Sequence, residues 1–182
     1  STELEFGADL RFFQGRLGVE FTYYDQKTTD DILSASISRA SGFLTTSVNI
    51  GELSNKGIEL LVNFTPVQGP VTWDVSLNLA KNKNKVIALS EGVKEINVEE
   101  PRTRTVYIKH IVGYPFGMIT GYRQKTDGQG NLVYEANGSP VRSDVYEILG
   151  NGVADWTGGL NNSISWKRIR LDALIDFKFG GD

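Results

Sequence analysis

Apolar and polar residues alternate through much of this chain. Alternation at period two builds β-strands with one apolar face and one polar face. Over residues 3–12, Leu4, Phe6, Ala8, Leu10 and Phe12 alternate with Glu3, Glu5, Gly7, Asp9 and Arg11. Over 17–25 the apolar set is Leu17, Val19, Phe21 and Tyr23. Over 57–64, Ile58, Leu60, Val62 and Phe64 oppose Gly57, Glu59, Leu61 and Asn63. Over 71–80, Val71, Trp73, Val75, Leu77 and Leu79 oppose Thr72, Asp74, Ser76 and Asn78. The last two alternating stretches are 156–166, with Gly158, Leu160, Ile164 and Trp166, and 169–179, with Ile169, Leu171, Ala173, Ile175, Phe177 and Phe179.

Tight turns between these stretches set testable registers. Gln14-Gly15 closes a two-residue hairpin that pairs Phe12 with Leu17, Leu10 with Val19 and Ala8 with Phe21. Lys167-Arg168 pairs Trp166 with Ile169, Ile164 with Leu171 and Leu160 with Ile175. A loop at Pro66–Gly69 pairs Val62 with Trp73 and Leu60 with Val75. Each register brings apolar onto apolar, as a shared face requires. A weaker strand is expected over 29–39, and long loops over about 40–53, 81–104 and 123–153, the second with room for a short helix. A strand is expected over 105–111, with short strands at 132–135 and 145–149. The fold class is all-β and antiparallel. Short turns at one end and long loops at the other suit an outer-membrane barrel. Soluble sandwiches show the same asymmetry less regularly.

With 182 residues the chain can bury one sizeable core. It starts at Ser1 and its only methionine is Met118, which suggests an excised or processed piece. No apolar run is long enough for a transmembrane helix, but a membrane-crossing strand needs only about 9–11 residues of alternating polarity. There is no cysteine, so disulfides and thiolate metal sites are excluded. A net charge of −3, with no basic cluster, gives no sign of nucleic acid.

Candidate chemistry is sparse. Asp30-Asp31, Glu99-Glu100 and the Asp9/Glu20 pair are the nearest thing to acid/base machinery. Adjacent carboxylates on a strand point to opposite faces, so these read as solvated charges rather than catalytic residues. His110 is the single histidine and lacks ligand spacing, so no metal site and no cofactor is expected. Asp127-Gly-Gln-Gly-Asn131 resembles the start of a calcium loop, but Gln129 and Leu132 break the pattern, and a plain turn is the better reading. Seven aromatics, Tyr107, Tyr114, Phe116, Tyr122, Tyr134, Tyr146 and Trp156, fall in or beside the long loops. They are candidates for stacking on sugar rings or peptide side chains, or for packing loops onto the sheet.

One stretch carries a family resemblance. Asn49, Gly51, Asn55, Lys56, Gly57, Ile58 and Glu59 form Asn-x-Gly-x-x-x-Asn-Lys-Gly-Ile-Glu. This resembles a signature in the C-terminal half of the barrel of SusC/RagA-like TonB-linked outer-membrane transporters. Tyr23-Tyr24-Asp25, Thr29 to Leu33, and Val112 to Gly117 resemble further parts of the same family. The resemblance covers most of the chain and is strongest over residues 1–92 and 105–180. It implies one unit, residues 1–182, forming part of a large transmembrane β-barrel in the bacterial outer membrane. It also implies import of glycan fragments or peptides, with membrane lipid, a SusD-like lipoprotein and TonB as partners, the TonB contact lying outside this segment. The polar faces would line a wet lumen and the apolar faces would meet lipid. The rival class is a soluble carbohydrate-binding β-sandwich, which explains the alternation equally well but not the Asn49–Glu59 signature. A glycoside hydrolase needs two carboxylates at a defined separation, which the sequence does not display.

Overall fold

The computed structural model describes residues 1–36, 39–43, 45–90, 92–98 and 105–182, with side chains at all of these except 31, 33–36, 39, 45 and 48–50. The described strands, in chain order, are β1 (Thr2–Phe12), β2 (Leu17–Ser36), β3 (Thr45–Val67), β4 (Val71–Ala88), β5 (Glu95–Asn97), β6 (Tyr107–Ile111), β7 (Met118–Gln124), β8 (Arg142–Asn151), β9 (Trp156–Trp166) and β10 (Ile169–Phe179). They form two antiparallel sheets, one ordered β1-β2-β3-β4-β9-β10 and the other β5-β6-β7-β8.

The first and last hairpins have the registers set by alternation and turn length. Phe12 pairs with Leu17, Leu10 with Val19 and Ala8 with Phe21. Trp166 pairs with Ile169, Ile164 with Leu171 and Leu160 with Ile175. In the first turn Phe13, Gln14 and Gly15 all take positive φ, 53°, 57° and 87°; the Gly15 N–H donates to the Phe12 carbonyl at 3.1 Å and the Arg16 N–H to the Phe13 carbonyl at 3.2 Å. The ladder closes at Phe12–Leu17, outside this turn of residues 13–16, with the register unchanged.

The β3–β4 hairpin differs from expectation by four residues. The Ser76 Oγ donates to Asn63 Oδ1 at 2.8 Å, and Thr65 Oγ1 to Asp74 Oδ1 at 2.7 Å. Both pairs have residue numbers summing to 139, where a loop at 66–69 requires 135. β3 runs on through Pro66 to Val67, and residues 68–70 make the turn. Proline ends a strand only where its missing N–H is needed. Pro66 lies past the start of β2 at Leu17, and Arg16 caps the carbonyls of Thr65 and Pro66 instead. Because the displacement is even, polar still meets polar.

Three expected loops are partly strand. The strand expected over 29–39 is the continuation of β2 to Ser36, passing through Asp30 at φ 57°. The loop expected over 40–53 holds a short 3-10 turn, Arg39–Ser41, and then β3 from Thr45. β4 continues to Ala88 through the lysine-rich run expected to leave the sheet. No helix replaces it among the described residues of 81–104. The expected strand at 145–149 is the middle of β8, while 132–135 forms only isolated bridges, Thr126 with Leu132 and Tyr134 with Pro140.

The chain forms two compact units: residues 1–28, 54–84 and 154–180, and residues 29–53, 85–153 and 181–182. In the first unit the sheet is one layer, and among the described residues no second layer packs on its apolar face. Phe6 is 61 % exposed, Trp166 48 % and Leu171 65 %. Val71–Lys81 of β4 pairs directly with β9, placing Leu77 beside Leu160 and Trp73 beside Ile164. The faces that a sandwich would stack therefore lie side by side in one sheet. The second unit has a small core in which Val86 and Leu89 are covered by Leu53, Ile96, Val112 and Phe116. Val86 N–H donates to the Tyr114 carbonyl at 2.9 Å, and the Gly113 N–H returns to the Val86 carbonyl at 2.8 Å. The Val112–Gly117 segment is thus stitched to the end of β4 by its backbone.

Candidate functional site

In the first unit the polar face of the sheet is concave. Glu20, Thr22, Glu59, Asn78, Thr157 and Asp176 border an open groove of about 910 Å³. Asp9 and Glu20 stand directly opposite each other, with Arg11 3.3 Å from the Asp9 carboxylate. The Arg11 guanidinium is thus the hydrogen-bonded neighbour of Asp9. At the floor, Gly159 lies between Asn78 and Asp176, whose oxygens sit 2.8 and 2.9 Å from where a Cβ would stand. A side chain at 159 would fill the groove.

The 49–59 signature acquires a physical reason here. Lys56 Nζ meets the Asp25 carboxylate at 2.6 Å. Tyr24 crosses Gly57 so closely that any Cβ there would overlap the phenol ring, and the Tyr24 hydroxyl bonds Asn82 Oδ1 at 3.2 Å. The phenol therefore spans from β2 across β3 to β4, over a glycine that only backbone can occupy. Asn55 Oδ1 is buried beside this clasp without a hydrogen-bond partner. Gly51 approaches the Leu89 carbonyl to within 2.9 Å of an added Cβ, in the second unit. Ile58 and Glu59 keep their alternating faces, and Glu59 borders the groove. The side chain of Asn49 lies outside the described residues.

In the second unit, three of the seven sequence-selected aromatics come together. Tyr107, Tyr122 and Tyr146 stand on β6, β7 and β8, not in loops. Tyr146 meets Tyr122 edge-on with centroids 5.0 Å apart, and Tyr107 at 6.5 Å. Its hydroxyl shares a 2.8 Å hydrogen bond with Thr120 Oγ1. Lys109 Nζ lies 5.2 Å from the Tyr146 ring centre and 2.5 Å from Glu95, and Arg142 covers Tyr122 at 4.1 Å. The result is a ladder of rings and cations along one sheet face. Phe116 instead packs in the Val86 core and against His110, at 5.6 Å. Tyr114 and Tyr134 stand apart and exposed. Trp156, in the first unit, lies under Lys81 Nζ at 4.6 Å. Lys109, Arg142 and Thr120 were not selected from sequence. Their alternation with the tyrosines is visible only once β6, β7 and β8 are aligned.

The remaining titratable candidates have local roles. His110 Nδ1 accepts the Gly117 N–H at 3.4 Å, and burial lowers the imidazole pKa. Asp127 closes its own turn, one oxygen accepting the Gln129 and Asn131 N–H groups at 2.9 Å each and the other accepting Asn131 Nδ2 at 3.0 Å. These bonds hold its carboxyl below the usual range. Both oxygens accept N–H donors from the same five residues, the pattern of an aspartate closing its own turn. Glu99-Glu100 and the Asp31 side chain lie outside the described residues.

A family model described as TonB dependent receptor-like, beta-barrel matches residues 1–173. The TonB-dependent receptor P3 of Formosa agariphila is 27 % identical over the whole of this chain and 20 % of its own length. The TonB-dependent receptor SusC of Bacteroides thetaiotaomicron is 31 % identical over 82 % of this chain and 15 % of its own. Among solved structures, that of the RagAB peptide transporter superposes with a TM-score of 0.77 at 23 % identity, covering 98 % of this chain and 21 % of that one. The chain spans about a fifth of the length of the curated relatives it matches.

Proposed function

The chain belongs to the TonB dependent receptor-like β-barrel family, and from that membership we propose that it supplies wall and loops to a transporter that takes up a nutrient, a glycan fragment or a peptide. It is a segment of an outer-membrane barrel, and its family is one of receptors and transporters. One observation carries the functional reading: a single-layer sheet whose apolar side chains are open on one face while carboxylates and amides border a groove on the other. Such a sheet separates lipid from water. The protein acts as a binding and conducting scaffold, without catalysis. A SusD-like lipoprotein and TonB would act through the complete transporter. The Tyr107–Tyr122–Tyr146 ladder, with Lys109 and Arg142, is the best-organised aromatic surface for a ring-bearing or sugar ligand, and Tyr114, Phe116, Tyr134 and Trp156 are secondary to it.

The test is uptake by the intact receptor in cells, measured with labelled glycan and peptide pools, against a Tyr122→Ala/Tyr146→Ala variant. Stacked rings contribute about 0.5–1.5 kcal/mol each beyond their area. The expected result is roughly tenfold weaker capture with normal surface expression. Undiminished capture sinks the assignment of the ladder, and absence of any uptake by the parent receptor sinks the transport reading.

A further inference from the structure

We propose that the short-turn end of the six-stranded sheet binds anionic phospholipid headgroups through Arg16, Lys167 and Arg168, a proposal that rests on the barrel-wall reading. The three tight connections there span residues 13–16, 68–70 and 167–168. They contain these three exposed cations and not one Asp or Glu. The carboxylates nearest these turns stand about four residues inward on the polar face: Asp9 is held by Arg11 at 3.3 Å, Asp74 by the Thr65 hydroxyl at 2.7 Å and Asp172 by Arg170 at 3.0 Å, with Glu20 opposite Asp9. Arg16 spends Nε and Nη2 on the Thr65 and Pro66 carbonyls, which fixes the guanidinium at the turn while keeping its charge. Lys167 Nζ lies 4.9 Å over the Trp166 ring.

The height of the sheet places these cations at headgroup level. Just inside the turns Phe12, Phe64, Trp73 and Trp166 are exposed on the apolar face, a belt suited to the hydrocarbon–water boundary. Trp156 and Trp166 occupy the same face of β9, ten residues apart. At about 3.4 Å per residue that is roughly 34 Å along the strand, or about 24–28 Å of vertical rise at a tilt of 35–45°. This matches the apolar band of about 25 Å typical of outer-membrane barrels. Lys167 and Arg168 follow Trp166 directly, so they stand one or two residues, about 3–7 Å, beyond the boundary where phosphates lie. Toward the other end of the sheet, Lys56 is already paired with Asp25 at 2.6 Å. At the short turns three cations share turn segments that hold no carboxylate. A zwitterionic headgroup offers them no net charge, whereas an anionic one does, at about fivefold per cation.

The experiment is native mass spectrometry of the intact receptor in detergent, with phosphatidylglycerol or phosphatidylcholine added, for parent and Lys167→Gln/Arg168→Gln. Among the described residues neither of these two side chains makes a hydrogen bond that the variant would break, and Lys167 has only its contact with the Trp166 ring. Heat-modifiable gel mobility reports that the barrel stays folded. The expected result is a fall of about fivefold or more in phosphatidylglycerol retained, with phosphatidylcholine unchanged. Equal retention by parent and variant overturns the proposal, as does equal loss of both lipids. Should the variant fail to fold, the parent decides: its preference for phosphatidylglycerol falls with added salt if the proposal holds, and a salt-independent preference overturns it. A parent that retains neither lipid and shows no heat-modifiable mobility overturns the barrel-wall reading instead.

Discussion

Replacing Gly57 by alanine tests the reason for the glycine in the 49–59 signature. The new Cβ would lie 2.5 Å from Tyr24 Cζ and 2.6 Å from the Lys81 carbonyl oxygen. The first neighbour is a side chain and can swing away; the second is backbone held in the sheet. Moving Tyr24 forfeits its 3.2 Å bond to Asn82, about 0.5–1.5 kcal/mol. Overpacking against the carbonyl adds about 1–3 kcal/mol. The expected loss is therefore about 2–4 kcal/mol, read as a lowered urea midpoint of the intact receptor in detergent with unchanged slope. Tyr24→Phe alone should cost only the hydrogen-bond share. Adding Tyr24→Ala to Gly57→Ala should recover part of the loss but not all, because the carbonyl clash remains. A Gly57→Ala receptor as stable as the parent would refute the close-approach argument.

Other outcomes are expected. Trp73→Phe removes the indole N–H that donates to Asn162 Oδ1 at 3.3 Å on the apolar face, and should cost about 1–2 kcal/mol in detergent unfolding; Trp73→Phe/Asn162→Leu should restore most of it, and no recovery would deny that Asn162 needs that donor. Lys56→Ala breaks a 2.6 Å pair whose lysine is 54 % exposed, so its cost should stay below about 1 kcal/mol and shrink in salt. Asp127 has a folded pKa below its ordinary value, so its contribution is complete above about 3.8 and is lost as pH falls through the folded value; protection of the Gln129 and Asn131 amides, measured against the intrinsic exchange rate at the same pH, should hold at neutral pH and fall only under acid, and Asp127→Ala should remove it throughout. His110 is also lowered, by burial, so folding takes up no proton there near neutrality and stability should decline as pH drops below about 6.5; His110→Gln should flatten that part of the stability–pH curve.

The alternation along 3–12, 17–25, 156–166 and 169–179 was enough to determine strands, faces and two registers. Side chains on a strand obey a strict period of two, and a two-residue turn leaves no freedom in pairing. The signature at 49–59 pointed to the family, and composition bounded the chemistry. Where the turn was longer the same reasoning slipped: at 66–70 the apolar faces match equally well at 135 and at 139, and only the position of Pro66 beyond β2 decides between them. Tertiary structure alone joined β4 to β9 across the intervening residues 89–155, because a pairing between distant segments leaves no local mark. It alone aligned Tyr107, Tyr122 and Tyr146 with Lys109 and Arg142, since β6, β7 and β8 are short and irregular, with register shifts in β7–β8 that erase any fixed period. And it alone explained Gly57: the chain shows a glycine in an alternating strand, but the Tyr24 ring that requires it arrives from another strand.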